Sequence, residues 1–436
     1  MLYEQKKGTL VKHLYNFVFL LFFVVCFNTI SATANRVFRI PFDYSLSGYI
    51  KGEYYSDSRQ TFDAQFDDIP FFPKPQVYDP AGQDVNSRAR TQMNAFETRV
   101  RLGMVGPVYG KAPIEGVMEV DFEIFYPEVI DLPHMRHAFG KVQLENSTIL
   151  FGQMWHPIVY IEPPTIDYDG TAPYDYYARA PQLTVTYQVT PNIDIITSAL
   201  MQVDYLSDGP YGETSQYMRW ATMPNFHLQA KWHFKEHLMA VGVDYKRIAP
   251  RITSDQGYHV YERLSSFAGL WYLGLKWPQV EFNAKINMGQ NVSDYNGMGG
   301  YAVRRNSANP VTGERKYTNL SNLGAWADIV LVKNPNLQPG VFCAFSKNLG
   351  SGKPIELDVV GPDNIIIERN VYGFANDCDY TFRIASRFSG KVESIIFALE
   401  VQYTRAYFGK LTPMGHIAHT QPVENIRCMF ASYYYF

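Results

Sequence analysis

The most constraining feature of this chain is the rhythm of its connections. Sixteen period-two or apolar segments can be marked along it: 44–55, 94–104, 112–123, 136–145, 147–155, 180–189, 192–203, 225–234, 237–246, 265–275, 279–288, 321–332, 337–347, 378–388, 392–404 and 425–436. Gaps after even-numbered segments are tight, such as Asn146, Thr190-Pro191 and Lys235-Glu236, whereas those after odd-numbered segments are mostly long, including 56–93, 156–179, 204–224, 289–320 and 348–377. Alternating tight turns and long loops over an even number of strands is the pattern of transmembrane barrels, with short periplasmic turns and long extracellular loops. Segment length agrees. Most run ten to twelve residues, against about 5 to 6 for a soluble strand and about 9 to 11 for one crossing a bilayer at a tilt.

Side-chain alternation assigns the faces. Phe226, Leu228, Ala230, Trp232 and Phe234 alternate with His227, Gln229, Lys231 and His233, and Val280, Phe282, Ala284, Ile286 and Met288 with Glu281, Asn283, Lys285 and Asn287. An apolar belt outside and a polar lumen inside accommodate both sets. The last segment, Asn425 to Phe436, has Ile426, Cys428, Phe430, Ser432, Tyr434 and Phe436 on one face and Arg427 on the other. An open apolar edge is an aggregation hazard in water and leaves unsatisfied backbone groups in lipid. The last strand is therefore expected to pair with the first and close the barrel.

At the N-terminus Lys6, Lys7 and Lys12 precede an apolar run from Phe17 to Phe27 and the small residues Ser31-Ala32-Thr33-Ala34. This is a secretory signal-peptide pattern with cleavage expected after Ala34; eleven apolar residues are too few for a spanning helix. Residues 1–34 are thus read as signal peptide and 35–436 as an outer-membrane barrel, all-β and antiparallel. Loss of three Lys and one Glu takes the formal charge from −3 to −5, which argues against nucleic acid. Cys343, Cys378 and Cys428 remain. Their number and spacing give neither a disulfide framework nor a zinc pattern, and they read as buried or lipid-facing small hydrophobes. The 32 Tyr and 29 Phe fit aromatic girdles at two interfaces.

A sixteen-strand barrel is wide enough to hold a water-filled channel. Residues 156–179 combine Glu162, Asp167, Asp169 and Asp175 with Pro163, Pro164, Pro173 and five tyrosines; as the third long loop they resemble the loop that folds into the lumen of sixteen-strand porins, and that resemblance implies a constriction, the alternative being a surface-exposed loop. The Asp-Tyr-Asp-Gly string from Asp167 falls short of a calcium loop. Parity turns Lys51, Glu97, Arg99 and Arg101 inward, with Arg383, Arg387 and Arg427 on neighbouring strands of the same sector. The adjoining strand turns Glu115, Glu119, Asp121 and Glu123 inward, and the next adds His137 and Lys141. Basic groups facing acidic ones across a constriction set up a transverse field, and rings of Arg or Lys favour anions; the alternative is local pairing of charges within a solvated lumen.

Several short motifs carry a family resemblance: Arg99-Val100-Arg101-Leu102-Gly103, Glu115-Gly116 with Asp121-Phe122, Met135-Arg136-His137-Ala138-Phe139, Leu150 to Trp155, and Arg179-Ala180-Pro181-Gln182-Leu183. Together they resemble the DcaP-like trimeric porins over roughly residues 99–187. Met154 stands where that pattern has Thr. The resemblance implies a homotrimer in the bacterial outer membrane passing small, often anionic solutes such as dicarboxylates, with Arg99, Arg101, Arg136 and Arg179 as contacts.

Two other classes compete. A barrel enzyme would need a nucleophile beside a histidine and an orienting partner, and His134, His137, His156 and His227 sit in no such setting. His134 and His137, three apart in a strand, are expected on opposite faces, so no metal pair is read from them, and no cofactor either. An adhesin or structural barrel would lack the inward loop and conduct negligibly. The reading is a passive porin for small hydrophilic solutes, anions among them.

Overall fold

The computed structural model describes residues 43–64, 69–106, 112–122, 133–167, 170–203, 205–334, 336–361 and 365–436. The signal-peptide segment, Glu123 and Asp169 lie outside these residues. Sixteen antiparallel strands close on themselves: β1 (Asp43–Asp57), β2 (Arg99–Val105, preceded by a forerunner Arg90–Asn94), β3 (Ile114–Asp121), β4 (His134–Gln143), β5 (Ser147–Trp155), β6 (Arg179–Thr190), β7 (Ile193–Leu200), β8 (Asn225–Phe234), β9 (His237–Ile248), β10 (Leu264–Lys276), β11 (Val280–Gln290), β12 (Tyr317–Leu331), β13 (Leu337–Ser351), β14 (Cys378–Val392), β15 (Ile395–Leu411) and β16 (Ile417–Tyr435). Every segment marked in the sequence is a stave of the barrel. No helix among the described residues is long and apolar enough to cross a membrane.

Closure is by β1 against β16, in register from Tyr49↔Tyr435 to Asp57↔Arg427. The terminal residue takes part: Gly48 N donates to Phe436 O at 3.1 Å and Phe436 N to Gly48 O at 3.2 Å. Gly48 is required by close packing on its other side, since a Cβ there would stand 2.1 Å from the carbonyl oxygen of Arg99. With the ring closed, the barrel wall leaves no open edge among the described residues, as a bilayer demands.

The alternation holds along the wall. On β8, Phe226, Leu228 and Trp232 are exposed outward, while Asn225, His227 and Gln229 are buried inward. On β11, Ile286 and Met288 face out and Lys285 and Asn287 in. Cys343 and Cys428 are exposed and Cys378 is buried.

Three local features depart from the sequence reading. The second stave is broken: both pieces pair with β1, Glu53↔Asn94 and Tyr49↔Arg99, with a turn at residues 95–98 between them. The last stave starts at Ile417, eight residues before the sequence limit, so the connection from β15 is only 412–416. The third is a bulge. Glu119 pairs with His137 but Val120 with Met135, so Arg136 is the extra residue and two successive side chains turn to one face. His134 and His137 therefore both face inward, contrary to expectation: His134 Nδ1 is 2.9 Å from Asp121 Oδ1 and His137 Nε2 3.7 Å from Glu119 Oε1.

Candidate functional site

The lumen is crossed by the loop of residues 156–178, here called L3. Its neck is closed by His156 N donating to Ala178 O at 2.9 Å. Near the neck Asp175 is an anchor. Its Oδ1 accepts from Lys285 Nζ at 2.6 Å and Asn287 Nδ2 at 2.7 Å, and its Oδ2 from Trp326 Nε1 at 2.7 Å. Lys285 also donates to Val159 O at 2.7 Å. These donors come from β11 and β12, whose inward positions the alternation had already marked at Lys285 and Asn287. Gly324 on β12 lets the loop backbone lie against the wall, for a Cβ there would meet Tyr174 O at 2.2 Å.

The other end of L3 docks on strands from the closing seam. Ile166 N donates to Glu400 Oε2 at 2.9 Å, Lys51 Nζ donates to Ile166 O at 3.1 Å, and Gln402 Nε2 donates to Asp167 Oδ2 at 2.7 Å. Arg427 Nη1 lies 3.1 Å from Asp167 Oδ1, while its Nε and Nη2 each donate to Asp57 at 2.9 Å. Arg427 thus lies between two carboxylates, which fits a guanidinium's several coplanar donors. Burial pushes the Asp167 carboxyl above the usual carboxylate range, against the pull of Arg427. L3 is thereby held on two separated arcs of the wall.

A second loop also turns inward, which the sequence did not reveal. Thr61–Ala64 and Ile69–Pro73 pair as a small hairpin. Ile69, Phe71 and Phe72 pack with Ala172 of L3 and with Ala406, Phe408 and Val423 of the wall. Arg383 joins both insertions: its Nη1 donates to Gly170 O at 2.6 Å and its Nη2 to Pro70 O at 2.7 Å and Phe71 O at 3.0 Å.

Beside the L3 tip is a void of about 130 Å³ lined by Glu97, Arg99 and Arg136 of the wall side, Glu162, Pro163, Thr165, Ile166, Asp167, Thr171 and Tyr177 of L3, and Tyr433 of β16. Behind it the wall charges interlock. Arg136 Nε and Nη1 reach Glu119 at 3.0 Å and Asp121 at 2.7 Å, and Arg101 reaches Glu119 at 3.0 Å. Arg99 sits 3.7 Å from Glu119 and over the Tyr49 ring. Lys51 pairs with Glu53 at 2.7 Å and also contacts Glu97.

Of the site residues named from sequence, Arg99, Arg136, Glu162 and Asp167 meet at this void. Arg101, Glu119 and Asp121 stand in the shell behind it. Arg179 is buried at the L3 neck with its guanidinium over the rings of Trp155 and Tyr177, at 5.0 and 5.7 Å. Glu115 pairs with Lys141 at 2.8 Å, away from the void. Arg387 is held in a two-pronged pair with Asp328 at 2.7 and 2.8 Å. Asp175, Arg383 and Arg427 tie the insertions to the wall, and Asp169 is outside the described residues. Parity alone would have sent Arg136 to lipid; the bulge brings it in. Lys285, Trp326, Glu400 and Gln402 were missed as partners, although alternation had turned Lys285 inward.

No family model and no curated protein matches the chain. Solved structures do. The outer-membrane channel DcaP of Acinetobacter baumannii superposes with a TM-score of 0.66 at 15% identity, covering 93% of this chain and 99% of that one. This protein has the fold of that channel. An anion-selective porin from Comamonas acidovorans (TM-score 0.53, 8% identity, 91% and 100% coverage) and OmpF of Salmonella typhi (0.51, 12%, 90% and 97%) share it too. The DcaP fold of a closed sixteen-strand barrel, with apolar side chains outward, is that of the bacterial outer membrane.

Proposed function

We propose that this protein is a passive diffusion porin for small hydrophilic solutes, with an anionic preference, and that it has no catalytic role. The observation that carries the proposal is the pair of L3 anchorages on separated arcs of the wall. The loop spans the lumen and narrows it to a charged gap where Arg99 and Arg136 face Glu162. Preformed charges of both signs in a narrow aqueous gap orient dipolar solutes, and the arginines attract anions. The likeness to the anion-selective Comamonas porin accords with this preference. OmpT of Vibrio cholerae, solved in a trimer form, shares the architecture at 9% identity and a TM-score of 0.53, and we take this chain to be a homotrimer in the outer membrane as well.

The test is single-channel current from refolded protein in a planar bilayer under a salt gradient. Openings in threes with an anion-selective reversal potential are expected. Neutralising Arg99 together with Arg101 should lower anion preference, and deleting residues 166–172 should enlarge conductance. Cation selectivity would shift control to the acidic loop. Absence of current from a folded barrel would refute the porin and favour an adhesin or structural role.

A further inference from the structure

At the neck of L3 a compact cluster takes no part in narrowing the gap. The register of β8 on β9 sets His227 opposite Asp244, both facing inward, and L3 brings His156 onto them. His156 Nε2 lies 3.3 Å and His227 Nδ1 3.5 Å from the same atom, Asp244 Oδ1. The three donor atoms all lie within 4.8 Å of one another. Their residues are 2%, 3% and 1% exposed, and at these distances the three atoms make no hydrogen bond of full geometry, only long contacts with one another. A charge-assisted N–H to carboxylate bond would measure about 2.7 to 2.9 Å. Donors bound at about 2.0 to 2.1 Å to a tetrahedral metal stand about 3.3 Å apart, and the two separations to Asp244 Oδ1, 3.3 and 3.5 Å, lie nearer that figure.

The surrounding bonds orient the donors. Tyr295 OH donates to Asp244 Oδ2 at 2.7 Å and itself accepts from Asn225 Nδ2 at 3.1 Å, which leaves Oδ1 turned to the histidines. His227 Nε2 is 3.1 Å from Gln229 Oε1; the ring proton sits there and the Nδ1 lone pair faces the cluster. Metal-binding histidines commonly donate their other N–H to an outer acceptor in this way. Nearby cations are occupied: Lys246 contacts Asp294, and Arg179 lies over Trp155 and Tyr177. We propose that His156, His227 and Asp244 bind a divalent transition-metal ion of the zinc type. Two imidazoles and a carboxylate suit zinc and disfavour calcium or magnesium, which take oxygen ligands.

One contact couples this site to the loop. His156 Nδ1 accepts from Ile158 N at 3.1 Å. A metal on Nε2 places the ring proton on Nδ1, where it opposes the Ile158 N–H. Loading therefore loosens the first turn of L3.

The experiment uses untagged, refolded full-length protein in detergent, with Zn(II) titrated against a chromophoric chelator. One ion per chain is expected. Asp244→Asn and His227→Gln should each weaken binding by about 100-fold or more, and Gln229→Leu by about 10-fold to 100-fold, as outer-shell changes do. X-ray absorption of the wild-type protein at one equivalent of zinc should show two imidazoles and no sulfur, and exchange of the Ile158 amide should quicken. No stoichiometric binding, undiminished binding in both substituted proteins, or sulfur ligation would overturn the site. A loaded site with unchanged Ile158 exchange would overturn its coupling to L3. The absorption measurement needs no variant, so it decides the matter even where a substituted protein does not fold.

Discussion

Removing the Asp175 carboxylate is the sharpest test of how L3 is held. Asp175 is 1% exposed, and around it Lys285, Asn287 and Trp326 donate three hydrogen bonds of 2.6 to 2.7 Å. Truncating one partner of a buried pair costs about 3 to 5 kcal/mol, because the other charge is left uncompensated in a poorly polarisable setting. Here the cost falls on the docked loop and not on the barrel, whose ladder closes through β1 and β16 without L3. At about 1.4 kcal/mol per tenfold change, the ratio of docked to undocked loop should fall by a factor of about 100 to several thousand. In planar bilayers Asp175→Ala should show larger and noisier unit currents and gate at lower voltage, while the barrel still resists SDS until heated. Replacing Asp175 by Leu and Lys285 by Met together removes both charges, and apolar exchange of a buried pair is often neutral. The double variant should therefore recover much of what the single one loses. Wild-type currents from Asp175→Ala, or a double variant as impaired as the sum of its parts, would refute the anchor.

Other perturbations follow from the same geometry. Gly324→Ala places a Cβ where the carbonyl of Tyr174 lies at 2.2 Å, so L3 should lift from β12 and unit conductance should rise without loss of barrel stability. Gly48→Val should disrupt the pairing of β1 with β2, because the Arg99 carbonyl already occupies that space; pulse-labelled assembly should stall before the heat-resistant form appears. The Asp167 carboxyl, raised by burial, should protonate above the range of an ordinary aspartate, about pH 3.9. The folded state then binds this proton more tightly than the unfolded state, so the group favours folding as pH falls and opposes it as pH rises through its folded value. Mild acidification should therefore favour the docked loop and quieten current noise with the barrel intact, and Asp167→Asn should abolish that pH step; noise that rises on acidification would count against it.

What could be read from the sequence, and what could not, divides by range of interaction. Strand number and facing are repeated locally. Phe226, Leu228 and Trp232 carry their own period, and a tight turn such as Lys235-Glu236 records its own length, so small boundary errors leave the count intact. The bulge at Arg136 has no such signature, and one extra residue inverts the parity of its neighbours, which is why His134 and His137 were placed on opposite faces. The tether of Asp167 to Arg427 and the bonds from Lys285 to Asp175 connect residues far apart in the chain. Alternation can say that Lys285 and Arg427 look inward; it cannot say what meets them there.

That limit bears on how the lumen works. A ladder of arginines read as free would predict a strong, uniform anion field. Instead Arg427 is shared between Asp57 and Asp167, Arg387 is paired with Asp328, and Arg383 is spent on the backbone carbonyls of Pro70, Phe71 and Gly170. Arg427 and Arg383 hold the inward loops to the wall, and the charges of Arg427 and Arg387 are offset by the carboxylates beside them. Around the void Arg99 and Arg136 stand against Glu97, Glu119, Glu162 and Asp167, so that charges of both signs lie within a short distance. Such an arrangement favours solutes carrying both a charge and a dipole over simple ions. Reversal potential should therefore shift more with Arg99→Gln than with Arg383→Gln, whereas the latter should chiefly alter conductance by releasing the two inward loops. Equal selectivity shifts from the two substitutions would show that the arginine sector acts as a single field after all.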